Sequence, residues 1–193
     1  MDAQKLTQKS LEAVGQAQSL AIEHSNMQIE QEHLFYALLT QENGLIPQLF
    51  KKMGIDTAGL EQAVQEKMTQ IPGVTGPGRE PDKVYVSQDV DAALVQAEKE
   101  AARMKDEYVS VEHLMLGLMN KPNRALQDIF QRFGIKADAF LTALSTVRGN
   151  TRVTSDTPEE TYDVLKKYGQ DLVELARNHK LDPVIGRDSE IRN

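Results

Sequence analysis

An all-α fold, built from one four-helix unit used twice, is predicted by three observations. Residues Thr7 to Val64 return 80 positions later without a gap, with Gln8 over Gln88, Glu32-His33-Leu34 over Glu112-His113-Leu114 and Gly54-Ile55 over Gly134-Ile135. Within each copy apolar residues recur every three or four positions, the helical period. A breaker-rich stretch from Gln70 to Asp82, holding Pro72, Pro77, Pro81, Gly73, Gly76 and Gly78, separates the copies. The period is too long for a tetratricopeptide or ankyrin solenoid, and two copies are too few for an open array. A pseudo-twofold pair packed into one domain, with a cleft between halves, is the consistent reading.

The first helix of copy one spans Thr7 to His24, with Thr7 as N-cap and a predicted buried stripe of Leu11, Val14, Ala17, Ala21 and Ile22. In copy two Ser87 takes the capping place, and Val90, Leu94, Ala97, Ala101 and Met104 form the stripe. Second helices start near Gln31 and Val111, where Leu34, Leu38 and Leu39 answer Leu114, Leu118 and Met119; these are the most apolar and are predicted to form the centre of the core. Third helices, Gly44 to Met53 and Asn123 to Phe133, end at Gly54 and Gly134, where a left-handed residue costs glycine little. Fourth helices run from Thr57 to Met68 and from Ala137 to Val147, giving repeats over 7–68 and 87–147 within a domain over 1–147.

Residues 148–157 are polar, carry Gly149, Asn150, Ser155 and Asp156, and are expected to be a flexible linker. Pro158 suits a first helical turn. Leu165, Tyr168, Leu172 and Leu175 then step by three, four and three, predicting one further helix from Pro158 to His179 whose apolar face needs a partner.

The charge balance excludes several functions. With 22 basic against 29 acidic side chains the net charge is -7, which repels phosphate backbones and anionic lipid, and no compensating basic face is legible. Nucleic acid and membranes are not expected partners. The absence of cysteine removes disulfides, thiolate nucleophiles and zinc-thiolate sites. The start Met1-Asp2-Ala3-Gln4-Lys5 has neither an apolar signal core nor an arginine-rich transit pattern, and no apolar run approaches the roughly 20 residues that span a bilayer. A cytoplasmic protein is expected.

Glu32-His33 and Glu112-His113 offer carboxylate and imidazole twice. Adjacent helical residues diverge by about 100°, so neither pair chelates one ion as two histidines at i and i+4 do. A structural role in the first helical turn is predicted, and a metal or acid-base enzyme is the rival reading. HExxH, GxSxG and GxxxxGK[ST] are all missing, so no catalytic residues and no metal are assigned. Most of Met27, Met53, Met68, Met104, Met115 and Met119 lie at core spacing. Asp106, Glu107 and Glu112 flank Tyr108, Val109 and Val111. They form either a solvated loop or the acidic rim of an apolar recess suited to unfolded segments.

The string Leu181-Asp182-Pro183-Val184-Ile185-Gly186-Arg187-Asp188-Ser189-Glu190-Ile191 resembles the opening of the first ATPase module of Clp/Hsp100 AAA+ proteins, and residues 1–147 resemble the Clp amino-terminal domain. Lys166-Lys167-Tyr168-Gly169-Gln170-Asp171-Leu172 and the short connector are similar to the disaggregating ClpB branch; the ClpC and ClpA unfoldases are the alternative, with a role in docking folded adaptors. The resemblance implies an ATP- and Mg-dependent hexameric ring in the full-length protein, threading unfolded or aggregated polypeptide with an Hsp70-type partner. It implies substrate contacts at Thr7, Asp106 and Glu112, and with the apolar Leu94, Tyr108 and Val109 beside them these are the candidate substrate-binding residues. Val184 and Ile185 match the adenine-pocket position of the full-length family. Without a Walker A lysine the 193 residues are expected to bind no nucleotide and to lack ATPase activity, and without the ATPase modules they are expected to be monomeric.

Overall fold

The computed structural model describes residues 2–74, 84–149 and 151–159. Among them are the eight predicted helices: α1 Gln8–Glu23, α2 Gln31–Leu39, α3 Leu45–Lys52, α4 Thr57–Thr69, α5 Gln88–Arg103, α6 Val111–Asn120, α7 Arg124–Phe133 and α8 Ala137–Arg148. Thr7 and Ser87 cap α1 and α5 through the amides of Ser10 and Val90, which satisfies orphan donors of the first turn. Gly54 and Gly134 take φ of 78° and 66° after α3 and α7, the left-handed conformation that favours glycine.

The two copies meet through α2 and α6. Around that centre the packing pairs itself: α3 lies on α8 as α7 lies on α4, α3 on α6 as α7 on α2, and α1 on α6 as α5 on α2. Each pair maps onto its mate when the copies are exchanged. An aromatic cluster fills the junction, with Phe35 edge-on to the repeat-related Phe50 and Phe130 at centroid distances of 6.2 and 5.4 Å, and Phe50 against Phe140 at 6.0 Å. Such pairs add to burial about 0.5–1.5 kcal/mol each. Gln31, fully buried, ties the halves by donating to the carbonyls of Asp89 and Lys121 and accepting from the Asn123 amide.

Two short strands were not expected. β1 (Gln28–Ile29) pairs in parallel with β2 (Tyr85–Val86), Ile29 opposite Val86. Leu6 pairs with Val109 in the same way. These bridges are repeat mates, so each copy's entry segment hydrogen-bonds to the loop before the other copy's second helix. The copies are mutually strapped, and neither is a free-standing unit.

Two expectations are corrected. The buried stripe of α1 is Ser10, Ala13, Ala17, Leu20 and Ala21, leaving Leu11 exposed. The fully buried Ser10 hydroxyl donates to the Val109 carbonyl, so a polar residue serves the inward face. Residues 151–159 are not a free linker: Val153, Pro158 and Glu159 are buried, the Glu107 amide donates to the Val153 carbonyl, and the Gln8 amide donates to Asp156. This strap repeats residues 71–74, which run past Asn26 with its Nδ2 donating to the Pro72 carbonyl and the Val74 amide donating to Ser25. The compact unit therefore runs through Glu159. The predicted helix from Pro158 is described only at Pro158 and Glu159, both helical; its remainder, Val184, Ile185 and the 75–83 part of the inter-copy connector lie outside the described residues.

Candidate functional site

The structure brings Thr7, Asp106, Val109 and Glu112 to one end of the inter-copy junction, but faces them inward. Thr7 and Glu112 are fully buried, Val109 nearly so, and the Asp106 side chain is closed off from solvent. Leu94 belongs to the buried stripe of α5, and Tyr108 is half-buried. The acidic rim is corrected accordingly. Of its three carboxylates only Glu107 is exposed, because Arg148 and the strap engage the other two.

Arg148, at the end of α8, grips Asp106 through Nη1 to Oδ2 at 2.9 Å and Nη2 to Oδ1 at 2.6 Å, and reaches Glu112 Oε2 at 3.3 Å. Asp106 Oδ1 also accepts from the Val153 amide and Oδ2 from His113 Nε2 at 2.7 Å. Burial alone would raise the Asp106 pKa. Hydrogen bonds from His113, Arg148 and Val153, with the guanidinium charge, instead hold it far below the usual carboxylate range. Glu159 Oε2 accepts from the Thr7 hydroxyl at 2.8 Å and the Val111 amide at 3.0 Å, joining the cap of α1 to the first turn of α6. Burial, with the neighbouring Glu112 charge, pushes the Glu159 carboxyl up to about 7. Oε1 of Glu112 and Oε1 of Glu159 have no hydrogen-bond partner among the described residues. This cluster fastens the strap.

The histidines act structurally, as their spacing predicts. His33 Nδ1 accepts from the Glu30 amide at 2.8 Å, and its Nε2 donates to Asn26 Oδ1 at 2.9 Å; His113 does the same with Ser110 at 2.9 Å and Asp106. An amide can only donate, so Nδ1 is the acceptor and Nε2 carries the hydrogen in each ring. Burial, with His24 nearby, pushes the His33 pKa down to about 4. No group of three or more His, Cys, Asp or Glu arranged to hold a metal occurs among the described residues.

An open apolar surface lies at the other end of the junction, where the sequence was not read as a site. Tyr85 is 69% exposed, Met27 62%, and Val86 39%. Met27 directly precedes β1, and Tyr85 and Val86 are β2, so the patch sits on the exchanged strand pair. Its repeat-related positions are Lys5, Leu6 and Glu107, two charged and one buried. Val84-Tyr85-Val86 straight after the breaker stretch is the signal the sequence offers, and Met27 is one of the methionines outside the core.

No helix of the described residues is long and apolar enough to cross a membrane. A family model described as the Clp repeat (R) N-terminal domain matches residues 5–158, and its end agrees with the strap boundary. The chain is 45% identical over 192 residues to the chaperone protein ClpB of Bacillus anthracis and 44% identical over 193 residues to that of Nitratidesulfovibrio vulgaris. Both alignments cover 100% of this chain and 22% of the relative, so the chain spans about a fifth of the curated relatives it matches. The Hsp104 N-terminal domain from Candida albicans superposes with a TM-score of 0.70 at 24% identity, covering 80% of this chain and 99% of that one. The N-terminal domain of ClpD from Arabidopsis thaliana does so at 0.58 and 17%, covering 77% and 98%. The doubled helical unit and this match over most of the chain place it in the Clp repeat N-terminal domain family, and its sequence is similar to ClpB proteins.

Proposed function

We propose that these 193 residues capture exposed apolar segments of unfolded or aggregated proteins and present them to an ATP-driven ring. One observation carries this reading: Met27, Tyr85 and Val86 are each exposed at or beside the strand pair that ties the two copies. Burying one or two such side chains contributes about 1.5–3 kcal/mol each. Ordering an unfolded chain offsets much of that, leaving affinities of about micromolar to millimolar, suited to capture and release. The inward cluster at Thr7, Asp106 and Glu112 then has a supporting part, holding the strap that leads toward the rest of the longer protein. That reading includes ATP and magnesium bound outside this chain, a hexameric ring, an Hsp70-type partner and a cytoplasmic setting, as the ClpB relatives imply.

The test is a titration of the isotopically labelled chain with unfolded casein. Signals of Met27, Tyr85 and Val86 are expected to shift, and Tyr85→Ser with Met27→Ser is expected to weaken binding at least about tenfold, the loss of about one buried side chain. Shifts confined to other faces, or a double variant that binds casein as the parent does, overturn the proposal.

A further inference from the structure

The second copy carries a recess of about 350 Å³ between the end of α5 and the outer face of α8. Its floor is aliphatic, with Leu144 buried and Leu141 38% exposed, and around it stand Arg103, Lys105, Arg148 and Arg152. No acidic residue lines it, in a chain whose acidic side chains outnumber its basic ones by 29 to 22.

Cations near helix ends have an ordinary explanation, since they favour the negative end of the helix dipole. The duplication supplies an internal control for that explanation. Eighty residues earlier the same places hold Glu23 for Arg103, Ser25 for Lys105, Glu61 for Leu141, Met68 for Arg148 and Pro72 for Arg152. Copy one folds with the same helices and no cation at these positions, and an acid stands at the end of α1. Neither the fold nor the helix ends therefore require a cation at 103, 105 or 152 or the aliphatic residue at 141, whereas Arg148 has its own inward part with Asp106 and Glu112.

Arg148 is engaged inward with Asp106 and Glu112, and Arg103 pairs with Glu100. These two shape the wall, while Lys105, held at φ 60° after α5, is exposed. An aliphatic floor beside a cationic rim complements a carboxylate next to an aliphatic side chain. We propose that this recess binds a linear peptide segment carrying alternating acidic and aliphatic residues, a site separate from Tyr85. Nucleic acid is the poorer occupant, because the net charge of -7 opposes a polyanion beyond the recess itself.

The experiment is fluorescence anisotropy of the full 193-residue chain with a labelled dodecapeptide alternating Leu and Glu. Controls replace Glu by Lys or Leu by Ser, and oligothymidylate serves as a generic polyanion. The Leu-Glu peptide is expected to bind, more weakly as salt rises. Lys105→Glu and Leu141→Ser, both at exposed positions, are each expected to weaken it at least about fivefold with an unchanged melting curve. Tyr85→Ser is expected to leave this binding intact, so failure here is distinguishable from failure of client capture. Equal binding of the Lys-bearing peptide, equal binding of oligothymidylate, no binding, or indifference to both variants overturns the proposal.

Discussion

Arg148 and Asp106 form a two-pronged ion pair closed off from solvent, and their counterparts in the first copy are the uncharged Met68 and Asn26. One architectural position is thus solved twice, once by a thioether and an amide, once by charge. Removing one partner of a buried pair costs about 3–5 kcal/mol because the other charge is stranded. Arg148→Met is expected to cost about that much, since it leaves Asp106 and Glu112 buried together. Adding Asp106→Asn, the first copy's residue at that place, and Glu112→Gln, which removes the second stranded charge, is expected to recover most of the loss. Urea denaturation of the single and triple variants decides the matter. A triple variant no more stable than Arg148→Met would mean that the charges themselves are required.

α6 packs tightly on α5 at Gly117. A Cβ added at Gly117 of α6 would collide with the Ala93 carbonyl oxygen of α5 and crowd the Ala97 amide. Backbone cannot yield as a flexible side chain does, so Gly117→Ala is expected to destabilise by about 3 kcal/mol despite alanine's better helix propensity. At the repeat-related position the residue is already Ala37, so the first copy tolerates a methyl there. Chemical denaturation checks this; a neutral or stabilised Gly117→Ala would show that α5 and α6 can separate freely.

The helices, their order and the glycine stops were legible because they depend on local period and backbone freedom. What escaped reading depends on which residue faces inward. The stripe Val90, Leu94, Ala97, Ala101 projects onto Ser10, Val14, Ala17, Ala21, but Ser10 is polar and disguised the first copy's true face. Asp106 and Glu112 looked solvated by residue type, and only Arg148, some 40 positions away in sequence, makes their burial tolerable. The strap was read as a linker because its polar composition gives no hint that Val153 and Glu159 anchor it. Exchanged strands of two residues carry no periodic signal at all.

His33 makes the chain sensitive to acid. Its folded pKa is lowered to about 4 from 6.5, so the folded state resists the proton that the unfolded chain accepts. Its stabilising contribution is complete above pH 6.5 and falls as pH drops toward 4, by at most about 1.4 kcal/mol per unit. His33→Gln, which keeps an acceptor and a donor but cannot titrate, is expected to remove that slope from urea denaturation measured across this range. An unaltered slope would assign the acid sensitivity to other groups.

Glu159 acts in the opposite direction and does so locally. Its folded pKa is raised to about 7 from 4.5, so the docked strap holds a proton that an undocked strap releases. The contribution to docking is full below pH 4.5, falls as pH rises toward 7 and is gone above that. Protection of the Gln8 amide, which donates to Asp156 in the strap, reports this directly once intrinsic exchange is corrected. It is expected to drop at least about tenfold between pH 5 and 7.5 in the parent and to stay level in Glu159→Gln. Asp106 does not interfere, because its pKa is held below the window, and His33 lies in the first copy, away from the strap. In global denaturation the His33 and Glu159 slopes oppose each other, so each single variant is expected to unmask the other. Equal pH dependence of Gln8 exchange in parent and Glu159→Gln would remove Glu159 as the group that fastens the strap.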